Sequence, residues 1–190
     1  MPPVLRRYAA SFPQVELEIS FMGSEDACRA VRHGQLELAV ITLPDCADAD
    51  LEQCEIWHDP LHVVVARDHP LAHESRVTPA SLASHPALLP QPDTVTYGVV
   101  AAALAGHGLH PQLRHGSNYL ETLKMLTSIG LGWSALPASL VDSDLTVLTL
   151  PELSMARSLG SVRHPGRHLS HAAEALLALL GSASEHELAP

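Results

Sequence analysis

Apolar and polar residues alternate at every step in Val15-Glu16-Leu17-Glu18-Ile19-Ser20-Phe21, the period of a strand with one buried face. On either side the period changes to that of a helix. Leu5, Tyr8, Ala9 and Phe12 recur on one face behind Pro2-Pro3, which can open a helix, and Pro13 ends it. Ser24 is placed to cap a second helix, with Glu25 and Asp26 at its positive first turn and Gly34 as its stop. Then Leu38-Ala39-Val40-Ile41 runs without a polar break to Thr42, as in a strand buried on both faces. Ligands in open parallel sheets sit at the carboxyl ends of strands, so Thr42 and Leu43 mark a place to look for one.

Further along, Glu52–Trp57 and Leu61–Ala66 read as two strands flanking a turn at His58-Asp59-Pro60. The stretch 67–84 is rich in Pro, His and Ser and carries a helix start at Thr78-Pro79, so it reads as a crossover between two subdomains. The second half then alternates strand and helix. Strands are expected at 87–90, 112–116, 133–136 and 145–150. Helices are expected at 96–106 and after Asn118, where Asn118-Tyr119-Leu120-Glu121 has the form of a capping box. Residues 157–163 return to the first subdomain, Ser170 caps the last helix, and 185–190 form a loose tail. The order predicts an α/β protein with a largely parallel sheet in each half. The first subdomain covers about 1–75 plus 157–190 and the second about 76–156.

Composition narrows the function classes. Hydrophobic residues are 46% of the 190, aromatic ones 4% and charged ones 17%, so a core is affordable and must be aliphatic. A formal charge of −10 argues against nucleic-acid binding by these residues, since phosphate neutralisation needs clustered Lys and Arg. No apolar run reaches membrane-spanning length, and the first residues lack the apolar core of a signal peptide. Three cysteines (Cys28, Cys46, Cys54) without a CxxC spacing do not form a disulfide framework, which suits a cytoplasmic setting.

Candidate chemistry is sparse. Among thirteen histidines, His58/His62, His69/His73 and His164/His168 have the four-residue spacing of helical metal ligands. Prolines or β-branched runs interrupt each pair, and no HExxH or Cys/His cluster appears, so no metal is expected. There is no GxSxG elbow and no base beside a cysteine, so no enzyme activity and no catalytic residue is predicted. Gly106-His107-Gly108 and Gly130-Leu131-Gly132 follow helices instead of opening them and read as helix stops, not phosphate loops; no cofactor is expected. What remains is three loops after strands: Thr42-Leu43-Pro44, Gln91 to Thr96, and Gly116-Ser117-Asn118. The last two precede helices, so free backbone N–H groups beside hydroxyls and amides would suit a small polar or anionic ligand.

Several segments together resemble the effector-binding domain of LysR-type transcriptional regulators. They are Phe12-Pro13-Gln14-Val15-Glu16-Leu17, Gly34-Gln35-Leu36-Glu37-Leu38-Ala39-Val40, Asp68-His69-Pro70-Leu71-Ala72, Ile129-Gly130-Leu131-Gly132-Trp133-Ser134-Ala135-Leu136-Pro137, and His168-Leu169-Ser170-His171-Ala172-Ala173. Their order matches the family's over nearly the whole chain. The resemblance implies a type 2 periplasmic-binding-protein fold, two α/β subdomains joined by two crossovers, with a small-molecule effector bound between them. It also implies a homodimer or tetramer that contacts DNA only through a helix-turn-helix domain preceding this segment. Carried over by position, the effector contacts are Thr42, Leu43, Gln91, Thr94, Thr96, Ser117, Asn118 and Trp133. Two features depart from the family pattern: Glu37 stands where an Asp is usual, and the family's first strand has no counterpart here. A solute-binding protein of a transporter shares this fold and is the main alternative; an enzyme on the same fold, such as a deaminase or dehydratase, would need an acid/base pair in the cleft.

Overall fold

The computed structural model describes residues 2–44 and 49–187, and its chain divides into two units, Met1–His58 with Ser158–Pro190 and Asp59–Arg157. In chain order the elements are α1 (Pro2–Ser11), α2 (Ser24–Arg32), β1 (Leu38–Thr42), β2 (Glu52–Ala66), α3 (Pro79–Ala83), β3 (Pro86–Leu89), α4 (Val95–Ala105), β4 (Gln112–Gly116), α5 (Leu120–Ser128), β5 (Ser134–Pro137), β6 (Leu145–Val147), β7 (Ala156–Arg163) and α6 (His171–Glu187). Strands β2 and β7 each carry the chain across the division.

In the first unit β1 runs antiparallel to β7, with Leu38 opposite Arg163 and Thr42 opposite Leu159; β7 also neighbours β2. Ala27 and Val31 of α2 pack on Ile41, Leu51 and Val162. A second cluster joins Val4 of α1, Ile56 of β2 and Leu180 of α6, and the Tyr8 hydroxyl donates to the Ala172 carbonyl at 2.9 Å. Helix α2 stops where Gly34 turns to φ +72°, a conformation that penalises a Cβ. The Arg167 guanidinium then caps the stop, donating to the carbonyls of Val31 (2.9 Å) and Arg32 (3.1 Å). Ser170 caps α6 by accepting from the Ala173 N–H, and both its N–H and its hydroxyl donate to the Glu37 carboxylate. The Glu at position 37 thus has a definite task, holding the start of the last helix.

In the second unit β3 and β4 are parallel, Pro86 opposite Gln112. The Trp133 N–H donates to the Pro86 carbonyl and the Leu88 N–H to the Trp133 carbonyl, which seats the segment entering β5 on the other side of β3. β5 and β6 both run antiparallel to β2. A large core collects Leu61, Val63, Val65, Leu71, Leu82, Leu89, Val100, Leu104 and Trp133, and a smaller one Val64, Leu88, Leu123 and Leu136. Full burial of each such side chain is worth about 1.5–3 kcal/mol. Thr78 and Ser81 form a reciprocal capping box at α3.

Several expectations are corrected. The alternating segment 15–21 is not a strand: Ile19 is 50% and Phe21 94% exposed. Among the described residues no strand pairs with it, and an extended segment gains nothing from its period without neighbours for its N–H and C=O groups. Parallel pairing is found between β3 and β4 in the second unit, whereas β1 with β7 and β2 with β5 and β6 are antiparallel. The two strands expected around a turn at 58–60 are one, β2. Pro60 removes no donor from the β2–β5 ladder, which begins only at Leu61. The first division accordingly falls at 58/59, not near 75/76, since Leu61, Val63 and Val65 are already in the second unit's core. Gly23, not Ser24, is the cap residue of α2 and offers no side chain. The last helix continues through Glu185 to Glu187, beyond the expected start of the tail. Cys46 lies outside the described residues; Cys28 is half-buried and Cys54 exposed.

Candidate functional site

Two of the three sequence-selected loops come together in the second unit, and parallel pairing is the reason. β3 and β4 lie side by side and end at the same level, Leu89 opposite Gly116. The loop 91–96 and the segment 117–118 therefore leave neighbouring strand ends, each leading into a helix. The Gln91 N–H donates to Asn118 Oδ1 at 3.1 Å, and Gln91 Nε2 donates to the Gly116 carbonyl at 3.2 Å. A Cβ on Gly116 would stand 2.9 Å from Gln91 Oε1, so the close approach depends on that glycine.

Within the first loop the Thr94 hydroxyl donates to the Gln91 carbonyl at 2.8 Å and accepts from the Tyr97 N–H at 3.2 Å, making Thr94 the N-cap of α4. In the second, Ser117 Oγ accepts from the Tyr119 N–H. The expected Asn118 capping box does not form. Tyr119 is the residue preceding α5 and makes no side-chain cap, because the Asn118 amide is turned to Gln91. Thr96, one residue inside α4, is buried at 5% exposure, and its hydroxyl accepts from Arg157 Nη1 at 3.0 Å. Arg157 Nε in turn donates to Asp59 Oδ2 at 2.8 Å.

The other expected contacts lie elsewhere. Thr42 and Leu43 belong to the first unit, at the carboxyl end of β1, where Leu43 packs on the α2 cluster and its N–H donates to the Ser158 carbonyl. Trp133 is fully buried in the large core, its indole N–H donating to the His85 carbonyl at 3.2 Å; it buttresses β3 and exposes no surface to a ligand in this arrangement. Sequence reasoning missed Arg157 and Asp59. They are 98 positions apart; Asp59 reads as part of a turn and Arg157 as the first residue of a returning strand, and neither stands in a motif.

The assembled loops offer hydroxyls, amides and the first N–H groups of two helices, which have no carbonyl of their own helix to bond. Such a set is suited to hydrogen-bonding a polar ligand; no nucleophile–base pair stands among these residues. Among the described residues no group of three or more His, Cys, Asp or Glu could hold a metal. An open groove of about 400 Å³ in the same unit lies apart from the loops, lined by Leu71, Arg76, Val77, Thr146, Leu148 and Glu152. Arg76 and Glu152 there are already paired to each other at 2.9 Å, so the loops are the better candidate.

Against known proteins, the family described as "LysR substrate binding domain" matches residues 1–185. The HTH-type transcriptional regulator YeiE of Escherichia coli is 28% identical over 177 residues, 90% of this chain and 60% of that protein. The HTH-type transcriptional regulator MetR of Salmonella typhimurium is 30% identical over 143 residues, 75% of this chain and 44% of that protein. The chain thus spans less than two thirds of the length of either. The regulatory domain of CcmR from Synechocystis PCC6803, solved in complex with 2-PG, superposes with a TM-score of 0.84 at 23% identity, covering 97% of this chain and 90% of that one. The effector-binding domain of QuiR, solved with shikimate, superposes at 0.87 with 17% identity, covering 99% and 91%.

Proposed function

The chain belongs to the LysR substrate-binding-domain family, and on that premise we propose that it senses a small polar or anionic metabolite for a transcriptional regulator. The observation that carries the reading is the Gln91–Asn118 bond, which holds two helix-opening loops together at the ends of parallel strands, where ligands of α/β sheets sit. Gln91, Thr94, Thr96, Ser117 and Asn118 are the contacts assigned to the effector in this unit, and Thr42 and Leu43 those in the first unit. CcmR and QuiR were solved with 2-PG and shikimate, which favours a small effector of similar size and polarity. The relatives are named as HTH-type transcriptional regulators, which favours a sensor over the solute receptor of a transporter, and a binding role over an enzymatic one. A net charge of −10 assigns DNA contact to a helix-turn-helix domain of the kind those relatives' names carry. Effector binding would act by favouring one state of a cytoplasmic dimer or tetramer over another, which requires unequal affinity for the two states.

A thermal-shift screen with a metabolite library tests this. Stabilisation by a small polar compound, reduced in Asn118→Ala and in Thr42→Ala, supports the site. A response that both substitutions leave intact means that the effector binds elsewhere.

A further inference from the structure

Asp59 and Arg157 are the residues at which the chain enters and leaves the second unit. The Arg157 side chain is only 10% exposed. Taking a guanidinium out of water is costly unless its donors are met, yet this one is only partly met. It donates Nε–H to Asp59 Oδ2 at 2.8 Å and one Nη1–H to Thr96 Oγ1 at 3.0 Å. A guanidinium carries five N–H donors; both hydrogens of Nη2 and the second of Nη1 have no acceptor among the described residues. Nη2 is not sealed from solvent either. Asp59 meets Arg157 through a single oxygen, so the pairing is not the two-point fork that saturates an arginine.

We propose that Arg157 is the anion anchor of the effector site: its free donors take a carboxylate or phosphoryl oxygen pair of the effector, which makes an oxyanion the recognised class. Resting on the reading that the loop 91–96 contacts the effector, this assigns Thr96 a second role. Its hydroxyl accepts from Arg157 at the start of α4, so it fixes the guanidinium where the first-turn N–H groups of that helix add their own attraction for negative charge. Asp59 is then the resident counter-ion, holding the fork aimed and competing with the effector for it. Discrimination follows from the fork: a two-oxygen anion meets two donors, whereas chloride or a neutral polyol meets one or none.

Titrations of this chain with inorganic phosphate and with sodium acetate, each against sodium chloride at equal ionic strength and read by thermal shift and by the Arg157 Nε–H resonance, test the assignment. In the wild type both oxyanions stabilise and chloride does not, and the Nε–H resonance moves. Arg157→Met weakens phosphate at least tenfold, while Arg163→Gln, at a pair with Glu52 in the first unit, leaves it unchanged. Asp59→Asn, which frees the fork but keeps its shape, strengthens phosphate severalfold, an effect that a purely structural pair would not produce. Should Arg157→Met fold poorly, the Asp59→Asn result and the Asp59→Asn/Arg157→Met double variant carry the test. Oxyanions acting no better than chloride in the wild type, or a phosphate affinity indifferent to both Arg157→Met and Asp59→Asn, would overturn the proposal. Neutral library compounds binding with sensitivity to Asn118→Ala while oxyanions do not would sink the anchor and leave the effector site standing.

Discussion

Gly34→Ala should destabilise the first unit by about 2–4 kcal/mol, and about half of that cost should depend on a residue 133 positions away. Gly34 sits at φ +72°, where an L-residue loses about 1–2 kcal/mol. A Cβ there would also stand 2.5 Å from Arg167 Nη1 and 2.8 Å from Cζ. The tip of an arginine can swing aside at little steric cost, but this one holds the Val31 and Arg32 carbonyls at the end of α2. Leaving them forfeits two hydrogen bonds of about 1 kcal/mol each. Arg167→Ala alone should therefore cost about 1–2 kcal/mol, through the same two bonds. In that background Gly34→Ala should cost only its backbone strain, about 1–2 kcal/mol, leaving a coupling of similar size between the two changes. Urea unfolding of the four variants, followed by Trp57 fluorescence in a Trp133→Phe background, measures the cycle. Equal costs of Gly34→Ala with and without Arg167 would refute the collision. A cost below about 0.5 kcal/mol in both backgrounds would refute the claim that α2 needs a residue tolerant of positive φ.

Three further expectations concern the second unit. Trp133→Ala should cost about 3–5 kcal/mol, as for a large aromatic removed from a packed core, and Trp133→Phe less; thermal unfolding of both checks the order, and a near-neutral alanine would contradict the buttress role. Ser134 Oγ is buried with no partner among the described residues, so Ser134→Ala should leave stability unchanged or raise it by up to about 1 kcal/mol; a loss of stability, seen in the urea midpoint, would mean that the hydroxyl is bonded. His69 is buried beside His85 (ring centroids 5.2 Å apart), and its Nδ1 accepts from the Leu71 N–H. Burial first, then the neighbouring His85 charge, lowers its pKa below the usual 6.5, against smaller opposing pulls from Asp68 and Glu74. Below pH 6.5 the unfolded chain takes up the proton before the folded one, so stability should fall as pH drops from 6.5 toward the folded pKa and level off beneath it. His69→Asn keeps an acceptor for the Leu71 N–H without the titration. It should flatten that slope in urea midpoints taken from pH 8 to 5, and an unchanged slope would assign the effect to another group.

How far the sequence could be read follows from the range of the forces involved. Helix stops and caps act within a few residues, so Gly34, Ser170 and the helix start at Thr78 are legible from spacing alone, whereas the caps expected at Ser24 and Asn118 fall to their neighbours Gly23 and Tyr119. Hydrophobic runs are nearly as local, which is why Leu38–Thr42 and Ala87–Leu89 read correctly as strands. Pairing is not local. The period of Val15–Phe21 is as regular as any in the chain, yet a period states only which face would be buried if a neighbour existed. The same limit hides the direction of β2 and β7, because a strand's sequence carries no mark of the one beside it. In the candidate site the difference decides what was found and what was missed. Thr94, Ser117 and Asn118 stand out because each lies between a strand and a helix. Arg157 and Asp59 do not: the aspartate reads as part of a turn, and the arginine as the first residue of a returning strand. Only folding brings them together and adds Thr96, burying a charge with three of its five donors unused. A guanidinium needs no neighbour in sequence to be held there, only three elements that converge, and this convergence supplies the cation that the loops themselves lack.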